Sequence, residues 1–165
     1  MSGREAQFRR VVTARQQALL RTAYLLTQSD ADAQDLVQEA LARTYAKLGN
    51  LTDETGVESY IRRCMTSIFI DKGRRRQLFM IRRHVLAAGE SSTADVDAAD
   101  HRDHLRGLLA MLPRRQRVCV VLRFYEDLSI EQTARLLGWA PGTVKRETHD
   151  ALAALRQAMT TAEEA

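Results

Sequence analysis

The chain has 165 residues, 28% charged and 45% hydrophobic, the composition of a soluble folded protein with one ordinary domain or two small ones. Aromatic residues make up only 5%, with 8 Gly and 2 Pro, so an all-α fold with Leu, Ala, Val and Ile cores is expected. No run approaches the roughly 18 apolar residues that span a bilayer, and no apolar signal region opens the chain, so export and membrane insertion are not expected and a cytoplasmic protein is.

The first helix is expected from about Arg4 to Thr27, with Phe8, Val11, Val12, Leu19, Tyr24 and Leu26 among its apolar positions. Ser29 or Asp30 starts a second helix running to about Leu48. It buries Leu36, Val37, Ala40, Leu41 and Leu48 and leaves Asp32, Asp35, Glu39 and Arg43 along a different face. Asp30 and Asp32 lie in the first turn, where acids complement the helix dipole; Asp35 and Glu39 lie beyond it and read as a partner surface. No second His or Asp cluster completes a coordination shell around these carboxylates, so neither a metal nor a cofactor is expected.

GNLTDETG breaks the chain before a third helix from Val57 to about His84. Ile61, Cys64, Met65 and Ile68 supply its buried stripe, so the basic run that follows, with Lys72, Arg74, Arg75, Arg76, Arg82 and Arg83, projects from a rigid element and suits phosphates. Residues 87–104 form a small, polar, acidic stretch without apolar periodicity, read as a flexible linker between helical domains at 1–86 and 105–165. The charge pattern agrees: 15 Lys/Arg against 9 Asp/Glu in the first module, 1 against 5 in the linker, and 9 against 7 in the second module, within a net +4. Cys64 and Cys119 show no paired spacing and read as small core residues.

In LPRRQRVCVVLRFYEDL, Pro113 opens a helix with Val118, Val121, Leu122 and Tyr125 on one side, leaving Arg114, Arg115, Arg117 and Arg123 available for phosphates. SIEQTARLLGWAPGTVKRETHDALAALR then reads as a helix-turn-helix. Ser129 and Gln132 form a capping box, Gly138 stops the first helix, and Pro141 opens the second. Val144, Thr148, Ala151, Leu152 and Leu155 make the inner stripe of that second helix; Gly142, Thr143, Arg146, His149 and Asp150 face away, with Lys145 and Glu147 on the flanks.

Four segments, AYLLTQSDADAQDLVQEALARTYAKL, YIRRCMTSIFIDKGRRR, LPRRQRVCVVLRFYEDLSIEQTARLLG and APGTVKRETHDALAALR, resemble bacterial RNA polymerase sigma factors of the extracytoplasmic-function type, in family order and spacing. The resemblance implies a first domain that binds core RNA polymerase and opens the promoter, and a second that reads upstream promoter DNA. It implies that Asp35, Gln38 and Glu39 meet the polymerase, and that Tyr60, Arg62, Arg63, Ser67, Asp71, Arg74 and Arg75 handle the downstream (−10) element. On the same basis Thr143, Val144, Lys145 and Arg146 begin the recognition helix for the upstream (−35) element, joined by the outward-facing His149 and Asp150, with Arg117 and Arg123 on the DNA backbone. An anti-sigma protein is a further candidate partner, and no catalytic centre is implied.

Some positions depart from the family pattern. Ser67 stands where Asn is usual, which bears on downstream sequence preference. Ala140 replaces the N-cap Ser, a change that typically costs a helix about 1 kcal/mol. Glu147 and Asp150 stand where basic residues are common, weakening phosphate attraction, and Asp150 in the groove would favour cytosine amino groups. Two other readings compete: a stand-alone dimeric operator-binding regulator, and a metal-dependent nuclease using Asp30, Asp32, Asp35, Glu39 or His101 and His104.

Overall fold

A computed structural model describes residues 2–84 and 101–165, and every regular element among them is helical. Helix α1 spans Gly3–Thr27, α2 Asp30–Ala46 and α3 Glu54–His84, with a single 3₁₀ turn at Leu48–Asn50. Their starts are written in side chains. Ser2 and Glu5 form a reciprocal capping box, the Ser29 hydroxyl accepts from the Asp32 amide, and the Asp53 carboxylate accepts from the Gly56 amide at 2.7 Å. Leu19, Ala23 and Leu26 of α1 pack against Leu36, Val37 and Ala40 of α2 and Val57, Ile61, Met65, Ile68 and Phe69 of α3. Beyond Lys72, α3 leaves this bundle, and Leu78, Phe79, Met80 and Ile81 are exposed.

The linker expectation at 87–104 falls largely on residues 85–100, outside the described residues. Its last four positions are corrected, since α4 already runs over His101–Met111, with an Asp103–Arg106 pair at 2.9 Å in its first turns. Helix α5, Arg114–Val120, follows Pro113 and passes directly into a π-helical turn at Val121–Tyr125. Helix α6 covers Ile130–Leu137 and α7 Pro141–Glu164. The Ser129–Gln132 capping box and the left-handed Gly138, at φ 70°, bound α6 as expected.

The π turn corrects one core assignment. An i→i+5 turn inserts an extra residue, so the apolar face rotates away from its α-helical position. Tyr125, expected inside with Val118, Val121 and Leu122, is 47% exposed. Glu126, whose amide donates to the Val121 carbonyl at 3.0 Å, instead turns its carboxylate toward the first bundle. The core is continuous across the two halves, running from the α1–α3 cluster to Leu109, Leu112, Val118, Cys119, Val121, Leu122, Ala134, Val144 and Ala151.

Candidate nucleic-acid interface

In the helix-turn-helix, α6 and α5 hold α7 by its inner stripe: Val144, Thr148 and Ala151 are buried, with Leu152 and Leu155 half-buried. Val144 therefore anchors the recognition helix and is closed to bases. Pro141, Gly142, Lys145, Arg146, His149 and Asp150 are exposed along the opposite face, and Thr143 is half-buried at its start. Ala140 sits at the N-cap with extended backbone and no side-chain hydrogen bond, as its lack of a hydroxyl requires.

Glu147 does not behave as a flank residue. It turns inward, where its Oε1 lies 3.3 Å from the Arg115 Nε, and the Arg115 guanidinium stacks 4.0 Å from the centre of the Trp139 ring. A carboxylate, a cation and an aromatic face thus clamp α7 to α5 and to the turn between α6 and α7. This contact spans 32 residues, so no local pattern could have shown it.

On α3, Tyr60, Arg63, Ser67, Asp71 and Arg74 follow one another at three- or four-residue steps, placing them on one strip of the helix. Arg63, Ser67, Asp71, Arg74 and Arg75 are exposed; Tyr60 and Arg62 are half-buried. Two clefts separate this strip from α6 and its flanking turns. One, of about 430 Å³, lies between Tyr60, Arg62 and Arg63 and the facing Gln132 and Arg135. The other, of about 340 Å³, lies between Ser67, Asp71 and Arg74 and the facing Leu137 and Trp139. Arg63 spans the gap, donating to the Arg135 carbonyl at 3.3 Å.

On α2, Asp35 and Gln38 are exposed and Glu39 is half-buried. Glu39 meets Lys72 Nζ at 3.1 Å and Arg43 at 2.9 Å, and these cations, the Lys72 hydrogen bond first, hold its carboxyl below the usual range. Among the described residues no group of three or more His, Cys, Asp or Glu side chains gathers as a metal site would.

The arginines expected on DNA phosphates have other partners. Arg117 donates to the carbonyls of Leu26 at 2.6 Å, Leu112 at 2.9 Å and Ala110 at 3.3 Å. Arg123 donates to the Leu128 carbonyl at 3.0 Å, bracing the turn into α6. Arg114 crosses to the first bundle, donating to the Phe69 carbonyl at 2.7 Å with its guanidinium 4.4 Å from the centre of the Phe69 ring. Arg62 pairs with Glu126 at 2.7 Å, and the other Glu126 oxygen accepts from the Thr22 hydroxyl. Thr22, Gly73 and Glu126 were not singled out in the sequence; an isolated glycine inside a long helix is the one local signal among them.

Comparison with known proteins agrees with this two-part layout. A family model described as Sigma-70 region 2 matches residues 11–79, and one described as Sigma-70, region 4 matches residues 102–155. The RNA polymerase sigma-E factor of Streptomyces coelicolor is 40% identical over 155 residues, covering 94% of this chain and 87% of that protein. This chain belongs to the sigma-70 family, in its extracytoplasmic-function group. The RNA polymerase sigma factor SigV of Bacillus subtilis is 25% identical over 154 residues, covering 90% of this chain and 89% of that one. A solved sigma factor RpoE of Bartonella quintana, in complex with the anti-sigma factor NepR, shares the fold at a TM-score of 0.71 and 22% identity, covering 93% and 96% of the two chains. As a sigma factor, the protein binds core RNA polymerase and directs promoter-specific initiation. Among the described residues no helix is long and apolar enough to cross a membrane.

Proposed function

We propose that this sigma factor divides promoter reading between the exposed crest of α7 and the strip on α3, and meets the polymerase through α2. The crest carries the reading most directly, because Arg146, His149 and Asp150 stand free of the core on a helix anchored from behind. Arg146 and Lys145 suit guanine edges and phosphates; Asp150 suits the cytosine amino group. Thr143, half-buried at the helix start, is close enough to the crest to meet a phosphate.

On α3, Tyr60 and Ser67 flank the place where an unpaired base would settle, while Arg62, Arg63, Arg74 and Arg75 neutralise the strand and Asp71 sets its register. Asp35, Gln38 and Glu39 supply an acidic patch for the polymerase. Arg123 acts as an internal brace rather than a phosphate contact, since the Leu128 carbonyl already holds it. The chemistry of RNA synthesis stays with the polymerase, so this protein works in the cytoplasm without a catalytic centre, metal or cofactor of its own.

Reconstituted holoenzyme tests the division. Arg146→Ala should lower transcription from promoters carrying the upstream element by roughly five- to 150-fold, matching a lost base contact of about 1–3 kcal/mol. Asp35→Ala with Glu39→Ala should instead weaken polymerase binding. Equal losses of both properties in both variants would contradict the assignment.

A further inference from the structure

We infer that Phe79, on the stretch of α3 that leaves the bundle, is a stacking platform for an unpaired base of the opened promoter strand, set among arginines that take the adjoining phosphates. The inference deepens the promoter-reading role proposed for the α3 strip and rests on it.

The strip continues in register past the bundle. Tyr60, Arg63, Ser67, Asp71, Arg74 and Arg75 are followed at three- and four-residue steps by Leu78, Phe79 and Arg82 on the exposed end of the same helix. At about 1.5 Å per residue, Phe79 stands about 18 Å along the axis from Ser67, far enough to meet a different nucleotide. Arg75, Arg76 and Arg82 occupy the i−4, i−3 and i+3 positions relative to Phe79, the places a helix brings beside one side chain. All three are exposed, and so is Phe79. Among the described residues no carboxylate pairs with Arg74, Arg75, Arg76 or Arg82, and the sequence from Lys72 to His84 holds no acid. An aromatic face ringed by uncompensated guanidinium groups matches what a single strand offers, a base to stack and phosphates to either side of it.

The apolar run around Phe79 fits other occupants less well. Leu78, Phe79, Met80 and Ile81 are all exposed and successive, so at about 100° per residue they face all round the helix. A bilayer surface needs one apolar face. A second copy packed here would bring the same arginines against each other. A DNA strand needs only the one ring and supplies the missing negative charge.

Reconstituted holoenzyme, at saturating core polymerase, and a promoter with a preformed bubble at the downstream element test the platform. Phe79→Ala should weaken bubble binding roughly five- to 150-fold, the factor that one stacked base contributes. Phe79→Leu, which keeps an apolar side chain and drops the π face, should lose nearly as much. Phe79→Trp should bind as the wild type does, with its added indole emission quenched by the bubble and not by duplex of the same sequence.

Wild-type affinity in Phe79→Leu would reveal a plain apolar contact and overturn the stacking. Wild-type affinity in Phe79→Ala overturns the platform altogether. In that event the strip's own role survives if Arg74→Ala still weakens bubble binding, and fails as well if Arg74→Ala has no effect. Self-association, core-polymerase binding or attachment to phosphatidylglycerol vesicles that Phe79→Ala impairs while bubble affinity stays intact assigns the run to that partner and sinks the inference.

Discussion

Glu147 separates two accounts of the recognition helix. By charge and family position it is an acid on the DNA-facing flank; by structure it is a clamp on Arg115, whose side chain is 38% exposed while that of Glu147 is 15% exposed. The pair is only partly shielded from water, so its Coulomb energy is well below the dry-interior value, and a coupling of about 1 kcal/mol is the reasonable figure. Glu147→Ala should therefore lower the melting temperature by roughly 2–4 °C in a chain of this size. A double-mutant cycle with Arg115→Ala should recover that coupling. The salt dependence of upstream-element binding by holoenzyme gives the opposing reading its chance. If Glu147 faced phosphates, removing it would let neighbouring cations engage more fully, and the slope of log affinity against log salt would steepen by up to about 0.9. With Glu147 turned inward the slope should stay unchanged. A steeper slope together with unaltered thermal stability would refute the clamp.

Two further outcomes follow from the interior. Ala140→Ser restores an oxygen to an N-cap whose backbone, at φ −66° and ψ 143°, is already extended; thermal unfolding should show a gain of about 1 kcal/mol, and no gain would mean another group already satisfies those amides. Burial pushes the Cys64 thiol up and the Cys119 thiol to about 12 from 9.0, so neither should react with a thiol reagent at neutral pH until the protein unfolds. The folded Cys119 value is the raised one, so its contribution is fully present below pH 9 and is lost as pH rises toward 12, by about 1.4 kcal/mol at pH 10. Cys119→Val should flatten that part of the stability profile; an unchanged profile would remove Cys119 as its cause.

Local rules explain what could be read ahead of the structure. The limits of α6 follow from Ser129, Gln132 and Gly138 because caps act over three or four residues, and the inner stripe of α7 follows from a 3.6-residue period that nothing interrupts. The π turn is where period-counting fails: one inserted residue sends Tyr125 outward and brings Glu126 in, and the residue types at Val121–Tyr125 do not announce it. Charge type alone does not name a partner within the fold. An arginine on a helix face offers its guanidinium to whatever lies opposite, and one of the three carbonyls that hold Arg117 is 91 residues away, at Leu26. Arg62 pairs with Glu58 at 3.5 Å, as spacing within α3 allows, but its closer partner, Glu126 at 2.7 Å, comes from the other half of the chain, which that spacing cannot show.

The chemistry of the polar contacts between the halves also bears on how firmly they hold. Arg117 is buried among carbonyls with no carboxylate on it; desolvation, and then Arg114 nearby, push its guanidinium down to about 10, so at neutral pH it stays protonated inside the protein. Hydrogen bonds from a charged donor contribute about 1.5–3 kcal/mol each, but taking the ion out of water costs several kcal/mol, so the two nearly cancel. Only the Leu26 bond crosses between the halves; the Leu112 and Ala110 carbonyls belong to the same half as Arg117. Arg62 follows the same logic with a smaller desolvation cost, because its side chain is still 25% exposed and its partner Glu126 also regains water on release. These polar ties act beside the apolar core that runs from the first bundle to Leu109, Leu112, Val118, Val121 and Leu122, so removing any one of them should leave the halves joined.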